Sequence, residues 1–244
     1  MIRYLKLGAM AGAAGGGALA LFLLAVGERP LSEAIAREAA ANPAPGHQEM
    51  FSRTVQVAGG MAGSVLYGSL LGVVVGVVFA AVRHRLPLRD DWRCAVVLAL
   101  AGFVTVALVP ALRYPANPPS VGDPATVGRR TALYLILLGC SVIASWSAWR
   151  LWRTLALRGV DEPRRAGLVA SAYAAIVGVA MVGLPPNPDP NTAPVQLVWH
   201  FRVASLGGAL VLWTVTGLTL GWLLIRGAAR PAAIRTVTGD AVHV

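Results

Sequence analysis

Apolar residues fill this chain in long blocks, and the charged residues fall between the blocks. Six runs contain no Asp, Glu, Lys, Arg or His: Leu7–Val26, Val57–Val82, Cys94–Leu112, Thr131–Trp149, Ala166–Leu184 and Val203–Ile225. An apolar helix needs about 20 residues to cross the hydrocarbon core of a bilayer, and every run is close to that length. The pattern predicts an all-α polytopic membrane protein with six transmembrane helices arranged as three hairpins, in a single membrane domain over residues 1–244. The first run follows Arg3 and Lys6, as a secretory signal would. It is longer than the usual signal core of roughly 7–15 residues, so it is read as a retained span.

Composition agrees with that pattern. Hydrophobic residues make up 56% of the chain and charged residues 13%, against about 25% charged in an average soluble domain. So few charges cannot cover a water-facing surface, and the lipid bilayer is the first partner expected. A formal net charge of +10 would suggest nucleic acid in a soluble protein. Here the basic residues sit in short connections, and no nucleic-acid-binding pattern accompanies them. Fourteen Lys and Arg lie in the two termini and the second and fourth connections, and seven lie in the other three. Basic residues collect on the cytoplasmic side, where lipid is anionic. The asymmetry predicts N-in/C-in topology in a bacterial plasma (inner) membrane.

Small residues mark helix contacts. Gly60, Ser64, Gly68, Gly72 and Gly76 recur every four residues along the second run, on one helical face. Gly12 and Gly16 in the first run, and Gly217 and Gly221 in the last, repeat the spacing. Such faces let backbones approach closely in lipid, either within one chain or at a homo-oligomer seam.

The loops predicted to lie outside hold most of the polar chemistry. In the first, the Ala- and charge-rich stretch Leu31–Ala41 predicts a short surface helix, broken by Asn42-Pro43-Ala44-Pro45-Gly46. The second reads Tyr114-Pro115-Ala116-Asn117-Pro118-Pro119-Ser120-Val121-Gly122-Asp123-Pro124, and the third Leu184-Pro185-Pro186-Asn187-Pro188-Asp189-Pro190-Asn191. Proline continues neither a helix nor a strand ladder, so both are expected to be rigid extended crossings. They also resemble each other. Each has an Asn-Pro pair, at Asn117 and Asn187, and each closes on Arg before the next span, at Arg130 and Arg202. The Asn-to-Arg spacings are 13 and 15 residues. Internal repeats of this kind are common in transporters and also arise in membrane proteins that move nothing.

Several reaction classes lack their residues. No run carries an ionisable side chain of the kind that marks proton relays. There is no glycine-rich phosphate loop, no His-Glu-x-x-His and no serine elbow, so neither a catalytic set nor a bound cofactor is expected. Cys94 and Cys140 fall at or inside spans and read as small buried hydrophobes. The remaining candidates are Glu33, Glu38, His47, Glu49, Asp123, Asp189 and His200, whose carboxylates and imidazoles suit divalent first-row metals. His47 and Glu49, two apart in the segment that Pro43-Ala44-Pro45-Gly46 opens, are the best-placed pair for a transient Co²⁺ contact. His200, beside Trp199, equally suits the membrane interface.

The segment Tyr114–Pro124 with Gly128-Arg129-Arg130-Thr131-Ala132-Leu133-Tyr134 resembles the CbtA family, in particular its actinobacterial members. Ser52-Arg53-Thr54-Val55-Gln56 adds to the likeness, as does Leu184-Pro185-Pro186 leading to Trp199-His200-Phe201-Arg202-Val203-Ala204-Ser205-Leu206. The resemblance covers nearly the whole chain. It implies a membrane subunit of a proposed cobalt uptake system serving cobalamin synthesis, often with a single-span, histidine-tailed CbtB partner. Many relatives carry a histidine-rich first outer loop, where this chain has only His47. Without that likeness, the glycine faces and charge-free spans fit equally well a non-transporting scaffold within a larger membrane complex.

Overall fold

The computed structural model describes residues 1–41, 51–85, 90–119, 121–187 and 193–239. Eight helices are present among them: α1 (Ile2–Phe22), α2 (Glu28–Ala41), α3 (Arg53–Val82), α4 (Asp91–Gly102), α5 (Val109–Arg113), α6 (Val127–Leu157), α7 (Glu162–Gly183) and α8 (Val195–Gly239). No strand occurs among the described residues. Six helical stretches are long and apolar enough to cross a membrane, and each holds one of the charge-free runs, with only Leu184 one residue beyond its helix. Lipid must cover much of their surface. Val179 and Val182 of α7 are 74% and 86% exposed, and Leu70 of α3 is 61% exposed. Apolar surface on that scale is tolerated outside a binding partner only in hydrocarbon.

Two prolines shape the helices. A five-residue π segment, Leu23–Gly27, joins α1 to α2 without a break, just before Pro30. The helix expected over Leu31–Ala41 is therefore a continuation of the first span, not a separate element. A second π segment, Phe103–Leu108, joins α4 to α5 just before Pro110. Proline has no N–H, and its ring collides with the carbonyl four residues back. A wider turn relieves that clash, and here the Val109 N–H reaches back to Val104 O. The carbonyl four residues behind Pro110, that of Val106, instead accepts a long bond of 3.5 Å from the Tyr134 hydroxyl. Beside it, the Thr105 and Ser145 hydroxyls share a bond of 2.7 Å.

The chain divides into two compact units. One comprises residues 1–26, 44–100 and 207–244. In it α1 lies along α3 through facing glycines. A Cβ added at Gly12 would stand 2.8 Å from Gly72 Cα, and one added at Gly68 would stand 2.7 Å from Gly16 Cα. Gly8 meets Gly72, Gly16 meets Ser64, and Tyr4 meets Gly76, so the two helices run antiparallel. The small-residue face is thus occupied within the chain. Its fifth member is not: Gly60 has open space where a Cβ would go. In α8, Gly208 faces Leu19, Gly217 faces Ala99, and Gly221 faces Trp92. Arg83 stacks over Tyr4 at 5.3 Å and lies 3.7 Å from Asp91.

The other unit comprises residues 27–43 and 101–206. Its core is Val109, Leu137, Ala144 and Val177. A short turn carries α6 into α7. Gly159 (φ 73°) takes the left-handed position, with Gly159 N–H bonded to Ala156 O and Val160 N–H to Leu155 O. Glycine alone meets that φ at no steric cost. Asp161 then caps α7 by accepting from the Arg164 N–H at 3.3 Å. Near this turn Arg153 stacks over Trp149, and Arg165 over Trp152 at 4.2 Å. Such pairs anchor helix ends at a lipid interface.

Candidate functional site: a proline-loop clamp over a cavity

In the second unit the two proline-rich loops are tied together at the ends of α5, α6, α7 and α8. The ties follow from what proline withholds. Leu184 precedes Pro185 and is therefore pushed to extended backbone, at φ −84° and ψ 140°. Neither Pro185 nor Pro186 has an N–H, so neither can donate to the Leu184 carbonyl, and Pro188 likewise cannot close a β-turn on that of Pro185. Distant donors take both. Arg113, the last residue of α5, donates from Nη2 to Leu184 O at 2.6 Å, and the Tyr114 hydroxyl donates to Pro185 O at 2.7 Å.

Arg202, in the second turn of α8, makes the return tie. Its Nη2 donates to Asn117 Oδ1 at 2.9 Å, and its Nε to Ala116 O at 3.3 Å. The two Asn/Arg motifs therefore cross: the Arg that closes one loop holds the Asn of the other. The complementary residues, Arg130 and Asn187, line one cavity.

That cavity has a volume of about 410 Å³. Its polar wall is Tyr114, Asn117, Arg130, Thr131, Tyr134 and Asn187. Pro115, Pro118, Val121 and Val127 complete it. Pro118 is buried, and its carbonyl accepts the Val121 N–H at 3.3 Å, which folds the loop back on itself. Next comes Gly122 at φ 104°, a conformation that side chains with a Cβ rarely adopt.

The remaining candidates separate from the cavity. Asp123 is exposed, and its carboxylate accepts the Ala125 N–H at 2.8 Å, so it starts the short 3₁₀ turn Pro124–Thr126. It does not line the cavity. His200 is exposed and absent from the wall. Glu33 pairs with Arg37 one helical turn away at 3.1 Å. His47, Glu49 and Asp189 lie outside the described residues. Among the described residues no three His, Cys, Asp or Glu side chains gather into a metal site. Arg113, Thr131 and Tyr134 were not singled out in the sequence as site residues. For Arg113 the available signal was the Pro-Pro pair, which takes nearby donors from the Leu184 carbonyl.

The six long apolar helices make this a multi-pass α-helical membrane protein, and its distinguishing feature is the pair of proline loops clamped over a cavity. The chain belongs to the CbtA family, described as "Probable cobalt transporter subunit (CbtA)", with the match running over residues 1–225. No curated protein and no solved structure matches it.

Proposed function

We propose that this chain is a plasma-membrane subunit that passes Co²⁺ inward, with both termini in the cytoplasm and its spans arranged as three hairpins. One observation beyond family membership supports the reading: the Arg202–Asn117 clamp holds two irregular loops over a cavity at the ends of apolar helices. Irregular backbone at membrane depth is tolerated only where it faces protein or water, so a fixed opening there suits an entry. His47 and Glu49 in the preceding loop collect the ion, and a weak two-ligand contact suits a site that ions must leave as readily as they arrive. The word "subunit" implies a partner, and this reading gives that place to a single-span, histidine-tailed CbtB-type protein.

A second reading, an accessory subunit beside the transporting one, is favoured by a specific feature. The cavity presents the Arg130 guanidinium, and no carboxylate, among the described residues of its wall. Radioactive cobalt entry into proteoliposomes separates the two readings. Entry with this chain alone supports the transport reading; entry that requires an added partner supports the accessory one. Equal cobalt accumulation in cells with and without the gene removes both.

A further inference from the structure

We propose that the α6–α7 turn carries a binding site for the headgroup of an anionic phospholipid, held by Arg153 and Arg165 on the rings of Trp149 and Trp152. An interfacial Arg–Trp pair by itself needs only a generic headgroup layer. This site selects the net charge of the lipid, and it saturates.

The first ground is uncompensated charge. Every residue from Arg150 to Arg165 is described, and the segment holds Arg150, Arg153, Arg158, Arg164 and Arg165 against two acids, Asp161 and Glu162. Asp161 turns its carboxylate to the backbone N–H of Arg164. None of the five guanidiniums gives a hydrogen bond or an ion pair to a described residue. Arginines elsewhere do: Arg37 pairs with Glu33, Arg93 pairs with Asp90, and Arg113 and Arg202 bond backbone oxygens. At this turn the partners are aromatic faces. Arg150 lies over Trp146 at 5.5 Å, Arg153 over Trp149 at 5.4 Å, and Arg165 over Trp152 at 4.2 Å. A ring face attracts the cation without neutralising it and offers no lone pair, so the Nη groups still need an acceptor.

The second ground is convergence. Trp149 and Trp152 are three residues apart and therefore neighbours on the surface of α6. One carries an arginine of α6 and the other an arginine of α7, so two planar forks stand on adjoining rings where the helices meet. Such forks match phosphate oxygens edge to edge.

The surrounding surface commits the site to a lipid. Val142, Trp146 and Arg150 follow one another at four-residue steps along one exposed face of α6. On α7 the exposed Arg164 stands one turn from the exposed Leu168. Each face passes from aliphatic to cationic, which fits one molecule with acyl chains on the aliphatic part and a phosphate at the arginines. A soluble anion would leave the aliphatic part unused. Basic patches at helix ends recruit anionic headgroups, and either orientation of the chain puts this turn at a membrane surface.

The purified chain in detergent is titrated with dioctanoyl phosphatidylglycerol or dioctanoyl phosphatidylcholine, and bound lipid is counted by native mass spectrometry. Phosphatidylglycerol should bind saturably and more tightly than phosphatidylcholine. Arg165→Gln should weaken it about tenfold, as loss of a charged hydrogen bond does. Arg165 also packs α7 on α6, so Arg153→Gln, at an exposed position, is the second variant and should weaken binding likewise. Arg129→Gln removes the same charge at the other end of α6 and should change nothing. Equal binding of the two lipids overturns the proposal, as does undiminished binding in Arg153→Gln or equal loss in Arg129→Gln. Displacement of phosphatidylglycerol by inorganic phosphate at equal concentration overturns it too, because free phosphate would then be the ligand. No cobalt enters the measurement, so failed uptake leaves this proposal standing, and failed binding leaves the uptake reading standing.

Discussion

The Arg202 guanidinium donates to the Asn117 amide oxygen at 2.9 Å across 85 residues of sequence. With its second bond, to Ala116 O, it holds one proline loop by the start of the helix that follows the other. Planarity matters: Nη2 and Nε leave the guanidinium in fixed directions, and a lysine ammonium cannot reproduce both.

Removing that fork should loosen the loops. Arg202→Ala is expected to cost on the order of 1–2 kcal/mol, in the range for hydrogen bonds from a charged donor with part of its surface in solvent. Arg202→Lys should recover less than half. Thermal unfolding in detergent, run as a double-mutant cycle with Asn117→Ala, measures the coupling. Additive losses in the cycle would show that the two residues act independently.

Helix contact predicts opposite fates for glycines on one helix. Gly72→Leu should destabilise by roughly 1–3 kcal/mol, the usual range for overpacking, because a Cβ there would already stand 2.7 Å from Gly12 Cα. Gly63→Leu should be tolerated, since nothing lies within 4 Å of a Cβ at that position. Matching melting temperatures for the two variants would contradict the α1–α3 contact.

Pro110 and Tyr134 should be coupled through the Val106 carbonyl. Tyr134→Phe removes the hydroxyl that reaches it, with an expected loss of about 0.5–1 kcal/mol. In a Pro110→Ala background the new N–H can serve the same carbonyl, and Tyr134→Phe should then cost little. An undiminished loss in that background would show that the hydroxyl matters for another reason.

Topology has a direct check in a chain whose native cysteines, Cys94 and Cys140, have been replaced. Pro119→Cys should label with an impermeant maleimide from outside intact cells, and Arg158→Cys should label only after lysis. Labelling of Arg158→Cys in intact cells would invert the N-in/C-in orientation.

For metal capture, His47→Ala combined with Glu49→Ala should lower cobalt uptake at limiting metal and leave it unchanged at saturating metal. A weak collecting site raises local concentration without setting the maximal rate. Equal uptake by variant and wild type at limiting cobalt would remove both residues from the mechanism.

What the sequence determined by itself is the set of apolar blocks and the six helices that hold them. The length of a charge-free run is a one-dimensional property, and bilayer thickness reads it directly. The all-α class follows, because a helix satisfies its own backbone groups in hydrocarbon. The proline loops were equally legible as irregular, since closely spaced prolines, unlike the single Pro30 and Pro110, leave a helix too few N–H groups to continue. The crossed pairing was not. Asn117 and Asn187 have the same neighbour, Pro, and Arg130 and Arg202 close their loops alike, so spacing alone gives each Asn its own Arg. Only the placement of the α5, α6, α7 and α8 ends in one unit decides that Arg202 reaches Asn117 while Arg130 and Asn187 share a cavity. The glycine ladder divides in the same way. Gly60 and Gly68 are equivalent in sequence, but α1 lies along α3 beside Gly68 and leaves Gly60 in open space, because a helical face is periodic and the contact between two helices has an end.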